Sequence, residues 1–195
     1  SGCSRRRREF PVLKHLPNLL SLLRLAAAPL AAWLILEGHD TAALLVFAAA
    51  GLSDGLDGFI ARHWHVTSRF GAWLDPTADK LLMLLCFLAL LQIGVAPWWL
   101  VAVVLLRDGA IALGWVLVRL LSLPVHFQAS RLGKATTLLQ LLYIGGWLLL
   151  LAFLLEAPAG LMLGAAAATA AATLLSGLGY ALVLLRAFFP GQRSV

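Results

Sequence analysis

An all-α polytopic membrane protein, a bundle of six transmembrane helices with both termini cytoplasmic, is the fold class predicted here. Three observations lead to it. Of the 195 residues, 62% are hydrophobic and only 12% charged, more apolar surface than a soluble domain of this size can hide. Apolar runs of about 20 residues, the length that crosses roughly 30 Å of hydrocarbon, recur along nearly the whole chain. The breaks between them carry turn chemistry, and their basic residues fall on one side of a six-span arrangement.

The first span, Leu16 to Leu36, holds Arg24 inside its apolar run and lacks a small-residue cleavage site, so it is expected to stay in the membrane rather than act as a signal peptide. "EGHD" separates it from the second, Thr41 to Ala61, and "RHWHVTSR" separates that from the third, Gly71 to Ile93. After "GVAP" comes the fourth, Trp98 to Leu121, and after "SLPVHFQASRLGK" the fifth, Thr136 to Leu155, in which Gly145 and Gly146 are expected to make a break. "EAPAG" leads to the sixth, Ala159 to Leu185. The domain organisation is therefore a basic N-terminal segment at 1–15, a six-helix domain at 16–190 and a short tail at 191–195. Residues 1–15 have two readings, a helix on an anionic inner leaflet or an unstructured positive tail.

Arg5 to Arg8, Lys14, Arg62, Arg69, Arg119, Arg131, Lys134, Arg186 and Arg193 share one side of this arrangement, while the opposite loops hold Glu37, Asp40 and Glu156. The positive-inside rule puts the basic side in the cytoplasm. It also explains the net charge of +6 better than nucleic-acid binding does, because no single recognition face is basic. Cys3 and Cys86 have no metal-type spacing and suggest no disulfide framework.

Against this background "SDGLDGFIARHWHVTSRFGAWLDPTADK", Ser53 to Lys80, contains four aspartates. Asp54 and Asp57 are three apart, with Gly58, Ala61 and Arg62 following on the same helical face, and Gly71, Asp75 and Asp79 form a second stripe at intervals of four. Each charge in a span costs about 2.5 to 3.5 kcal/mol, so four would add up to roughly 10 kcal/mol before compensation. Helix capping does not account for such a set. Arg62 and Lys80 are too few to neutralise it and also serve a substrate. Convergent carboxylate oxygens suit Mg²⁺ or Mn²⁺, whereas Zn²⁺ would favour histidine or cysteine, and His63 and His65 read as loop residues. Mg²⁺ commonly shares its ligands with phosphate oxygens, which points to a phosphorylated or nucleotide substrate. Gly58, Ala61 and Gly71 serve either close helix packing or ligand access beside the carboxylates.

Asp54-x2-Asp57-Gly58-x2-Ala61-Arg62-x8-Gly71-x3-Asp75-x3-Asp79 resembles the signature of the CDP-alcohol phosphotransferases, with eight determined positions in 26 residues. "LPNLLSLLR" and "GKATTLLQ" extend the resemblance over most of the chain. It implies release of CMP from a CDP-linked lipid, CDP-diacylglycerol, as an acceptor hydroxyl attacks the β-phosphorus. It implies metal ligation by Asp54, Asp57, Asp75 and Asp79, with two ions and with Asp79 also the general base. CDP binding falls to Asp54, Gly58, Ala61, Arg62 and Gly71. The implied setting is a bacterial inner membrane, with the site facing the cytoplasm.

The acceptor is expected to be read by Arg107, Asp108, Lys134 and Thr137. Arg107 with Asp108 has two readings, an internal ion pair or part of the acceptor pocket. Relatives that use glycerol 3-phosphate tend to have Arg-Glu in the fourth span and a lysine where this chain has Ala135. Arg107-Asp108 and Ala135 resemble instead the members whose acceptor is phosphatidylglycerol, which needs less concentrated positive charge. Phosphatidylglycerol is therefore favoured narrowly over glycerol 3-phosphate. A cation transporter is the alternative of a different class, although transport does not require Ala61, Arg62 and two glycines at fixed offsets. Small residues in the fifth and sixth spans suit packing within the bundle or across a homodimer.

Overall fold

The computed structural model describes residues 11–64, 71–121, 131–156 and 158–188, with the side chains of 21–53, 77–121, 132–156 and 158–183. Six helices follow in order: α1 (Pro11–Leu36), α2 (Asp40–Trp64), α3 (Gly71–Gln92), α4 (Trp98–Leu120), α5 (Arg131–Ala152) and α6 (Ala159–Phe188). Among the described residues Trp98–Leu120, Leu132–Ala152 and Ala159–Val183 are long and apolar enough to cross a membrane. Ser21–Leu36 and Asp40–Ser53 are shorter apolar stretches of α1 and α2. Large apolar side chains such as Leu45, Leu52, Leu106, Leu142 and Leu163 are exposed, a surface suited to lipid rather than water.

The chain divides into two compact units, Ser1–Cys86 and Phe87–Val195, and the division falls within α3. In the first unit α1 packs on α2. The buried stripe of α1 runs through Ser21, Arg24, Ala28, Ala31 and Ile35 at three- and four-residue steps, and that of α2 through Ala43, Phe47 and Ala50. Alanines at these steps let two backbones approach closely, which is how helices associate where lipid removes the hydrophobic driving force. Pro29 lies inside α1 without ending it, as membrane helices tolerate.

In the second unit α6 packs against both α4 and α5. Polar side chains tie the α5–α6 seam. The Thr136 hydroxyl lies 2.9 Å from its own helix's Leu132 carbonyl and 3.1 Å from Ala172 O. Gln140 Nε2 donates to Thr173 Oγ1 at 3.3 Å, and that hydroxyl donates to Thr169 O at 2.7 Å. Phe87 stacks on Tyr143 with ring centroids 6.0 Å apart.

Several boundaries differ from the sequence expectation. The first helix begins at Pro11, five residues before the expected span. The second runs to Trp64, so Arg62 and His63 are helical rather than part of a loop. The fifth begins at Arg131 and continues unbroken through Gly145 and Gly146. Their weak intrinsic propensity is overridden where neighbouring helices and lipid leave the backbone no water to bond.

Helices α1, α3 and α5 end in the same device. A residue with positive φ closes each: Gly38 at 74°, Gly94 at 77° and Leu154 at 51°. The amides after them reach back five residues, His39 N to Leu34 O, Val95 N to Leu90 O and Leu155 N to Leu150 O, each at 2.9 Å, which satisfies carbonyls the helix leaves over. At Leu154 a Cβ occupies the left-handed conformation, at a cost of about 1 kcal/mol. This turn ends α5 at Ala152, three residues short of the expected Leu155.

Candidate active site

The helical backbone of α2 carries Asp54, Asp57, Gly58, Ala61 and Arg62, and the first turns of α3 carry Gly71, Asp75 and Asp79. Both groups thus stand at the helical spacings the sequence implies. The side chains of Asp54, Asp57, Ala61, Arg62 and Asp75 lie outside the described residues, as do Gly58 and Gly71 in their surroundings and His65 altogether. Ser53, immediately before the motif, donates its hydroxyl to Ala49 O at 2.7 Å within α2.

Asp79 is described, and it is held by a residue of α1. Arg24 Nη1 donates to Asp79 Oδ1 at 2.8 Å across 55 residues of sequence. The side chain of Arg24 is 1% exposed and that of Asp79 is 40% exposed. Arg24 belongs to the inward stripe of α1, so helical register aims it at its neighbours rather than at lipid. A guanidinium stays charged in proteins, and in an apolar helix it requires an anion. Among the motif aspartates Asp79 supplies one. Arg24 therefore joins Arg62 and Lys80 as a cation close to the cluster in sequence or space. The signal that points to Arg24 is the cost of a charge inside a span, the same cost that singles out the aspartates.

Carboxylates at these positions have the donor chemistry for hard divalent cations. Among the described residues no three His, Cys, Asp or Glu side chains converge, and of the four aspartates only Asp79's side chain is described. A carboxylate has about four lone-pair sites. One hydrogen bond from Arg24 is thus compatible with metal ligation by Asp79, which fits the donor set.

The expected acceptor residues belong to the second unit. Arg107 is buried in the middle of α4. Its Nη1 donates to Asp108 Oδ1 at 2.7 Å and its Nη2 to Ser176 Oγ of α6 at 3.0 Å. The guanidinium carbon also lies 5.8 Å from the Tyr180 ring centroid, within cation–π range. Gly177, between them, faces the arginine stem: a Cβ there would stand in ordinary van der Waals contact with Arg107 Cγ, at 3.5 Å. On α5 Lys134 is exposed, and the Thr137 hydroxyl donates to Gly133 O of its own helix at 3.1 Å. Ser176 and Tyr180 are partners absent from the sequence expectation. Thr169, Thr173, Ser176 and Tyr180 repeat at helical intervals along α6, a polar stripe legible in its small-residue run.

A family model described as CDP-alcohol phosphatidyltransferase matches residues 14–184. Among curated relatives, a Streptomyces coelicolor protein named cardiolipin synthase (CMP-forming) is 41% identical over 128 residues, 63% of this chain and 59% of its own. A Drosophila melanogaster protein named probable cardiolipin synthase (CMP-forming) is 37% identical over 131 residues, 67% of this chain and 41% of its own. A Mycobacterium tuberculosis protein named probable phosphatidylglycerophosphate synthase is 34% identical over 181 residues, 89% of this chain and 83% of its own. The chain thus spans less than two thirds of the length of the two cardiolipin synthase relatives. Because the matched region takes in all eight motif positions from Asp54 to Asp79 together with Arg24 and Arg107, the chain belongs to the CDP-alcohol phosphatidyltransferase family.

Proposed function

We propose that this protein is a phospholipid-synthesising enzyme that transfers the phosphatidyl group of CDP-diacylglycerol to a glycerol-type hydroxyl and releases CMP. The observation that carries the proposal is the family match over 14–184 with the complete aspartate motif inside it. Asp54, Asp57, Asp75 and Asp79 would hold two divalent ions, Mg²⁺ or Mn²⁺. When bound, such ions neutralise the diphosphate and stabilise the departing CMP. Asp54, Gly58, Ala61, Arg62 and Gly71 seat the CDP moiety, the small residues admitting it against backbone and Arg62 meeting its negative charge. Asp79 takes the proton of the acceptor hydroxyl as the new oxygen–phosphorus bond forms and the bond to CMP breaks.

Phosphatidylglycerol is the favoured acceptor, which makes the activity that of a cardiolipin synthase. Arg107 supports it, because its charge is already engaged by Asp108, Ser176 and Tyr180. Such a site offers less concentrated positive charge than a free phosphomonoester calls for. Glycerol 3-phosphate is the second reading, supported by the mycobacterial relative that aligns over most of both chains. Six spans with both termini and the site on the cytoplasmic side of a bacterial inner membrane complete the proposal, and the small residues of α5 and α6 suit a homodimer.

The test is CMP release from CDP-diacylglycerol by the purified protein with Mg²⁺ or Mn²⁺, with phosphatidylglycerol and glycerol 3-phosphate offered separately and products resolved by mass. Acceptor-dependent CMP and cardiolipin support the lead reading. Phosphatidylglycerophosphate as the sole product moves the assignment to glycerol 3-phosphate. Metal flux without CMP release replaces the enzyme with a transporter.

A further inference from the structure

We infer that Arg24 of α1 is a positioning residue for Asp79, so that the first helix takes part in setting the geometry of transfer; this rests on the role proposed above for Asp79. Three observations combine. Arg24 is enclosed by the inward stripe of α1, 1% exposed, so its guanidinium has a fixed place. The contact to Asp79 Oδ1 is short, 2.8 Å, as charge-assisted hydrogen bonds are, and such a bond restricts the rotation of the carboxylate it engages. The burial of the two partners is unequal, 1% against 40%. Enclosing both groups would cost a second desolvation, and the arginine, already inside, needs its anion in either case. Here the arginine is enclosed while the carboxylate keeps an open side, the arrangement expected of an anchor and the group it aims.

Aim matters because a proton acceptor works only within hydrogen-bond reach of the hydroxyl it serves. Ser21, buried one turn before Arg24, continues the polar end of the stripe, while from Ala28 onward the stripe is apolar. Within this polar section Arg24 is the side chain that reaches the motif helix α3. Removing the guanidinium takes away this restraint on the carboxylate without deleting it, so the loss belongs to turnover rather than to donor binding.

The experiment uses the full chain purified in detergent–lipid micelles, with CDP-diacylglycerol, Mn²⁺ and each acceptor. Wild-type protein that releases no CMP with either acceptor overturns the proposed function itself, before any variant is compared. With an active wild type, Arg24→Gln is expected to lower kcat about 100-fold while KM for CDP-diacylglycerol stays within about threefold, the pattern of a misplaced group. Arg24→Lys keeps the charge but not the fork, and is expected to recover kcat to within about tenfold of wild type. In an Asp79→Glu background, where the carboxylate is already displaced, Arg24→Gln should cost less than about fivefold further. Rates are taken per folded protein, measured by gel filtration and thermal unfolding. If Arg24→Gln does not fold, Arg24→Lys decides alone: a lowered kcat with unchanged KM supports positioning, and wild-type kcat overturns it. Positioning is also overturned by wild-type kcat in Arg24→Gln, by a loss confined to KM, or by an equal loss in the Asp79→Glu background.

Discussion

Arg24 and Arg107 are both buried guanidiniums on apolar helices, and each donates to an aspartate oxygen, at 2.8 and 2.7 Å. Their partners differ in kind. Arg107 is paired with its neighbour in sequence, so the charge is compensated wherever α4 goes; its Nη2 donates to Ser176 and its guanidinium lies by the Tyr180 ring, both of α6, while its buried Nε makes no hydrogen bond among the described residues. Arg24 is paired across 55 residues, with an aspartate of the motif on another helix. A local pair makes an arginine tolerable in a span; a distant pair makes the position of one helix depend on another. The difference places Arg24 beside the proposed chemistry and makes Arg107 first an element of bundle architecture.

The largest expected effect tests the Arg24 side. Asp79→Asn removes the proposed base and keeps a near-isosteric side chain; CMP release should fall at least about 1,000-fold while CDP-diacylglycerol binding persists. Turnover near wild type in this variant would remove the catalytic reason for distinguishing the two arginines. On the Arg107 side, Arg107→Ala removes the cation that donates to Asp108 and Ser176, and should destabilise the protein by about 3 kcal/mol in denaturant titration. The double replacement Arg107→Leu with Asp108→Leu removes both charges. It should regain most of that stability, while KM for phosphatidylglycerol rises about tenfold, the loss of a uniform binding contact. Restored stability with an unchanged KM would make the pair purely architectural.

This contrast also shows what a sequence makes legible. The six helices lie where apolar runs stand in the sequence, and three of them, Trp98–Leu120, Leu132–Ala152 and Ala159–Val183, have the length and composition that crossing hydrocarbon fixes together. The start of α5 does not lie in such a run, since Arg131, Gly133 and Lys134 have the composition of a loop, yet their backbone is helical and Thr137 bonds to Gly133 within it. The helical spacing of the aspartates is legible for the same reason as the helices, being local. Arg107 and Asp108, adjacent in sequence, carry their pairing on their face. Arg24 does not, because a contact spanning 55 residues leaves no periodicity. Its trace is energetic: an obligate charge in a span calls for an anion, and the one it meets is Asp79 of the motif. Ser176 is hidden differently, as a small residue among alanines, glycines and leucines whose helical alignment with Thr169, Thr173 and Tyr180 is its sole mark.

The smallest effects decide how firmly α6 holds Arg107. Ser176→Ala deletes one buried acceptor of a charged donor, a loss of about 1.5 kcal/mol. Tyr180→Leu removes a ring at 5.8 Å, near the outer limit for cation–π attraction, and should cost about 0.5 kcal/mol, which Tyr180→Phe largely avoids. If α6 is what positions Arg107, the two losses should exceed or fall short of additivity when combined, because both act on one guanidinium. Strict additivity, with no change in either acceptor's KM, would mean that Asp108 alone sets the arginine and that α6 merely packs beside it. At Arg24 the carboxylate engaged lies on another helix, α3; the same size of perturbation there should therefore be read in turnover as well as in stability.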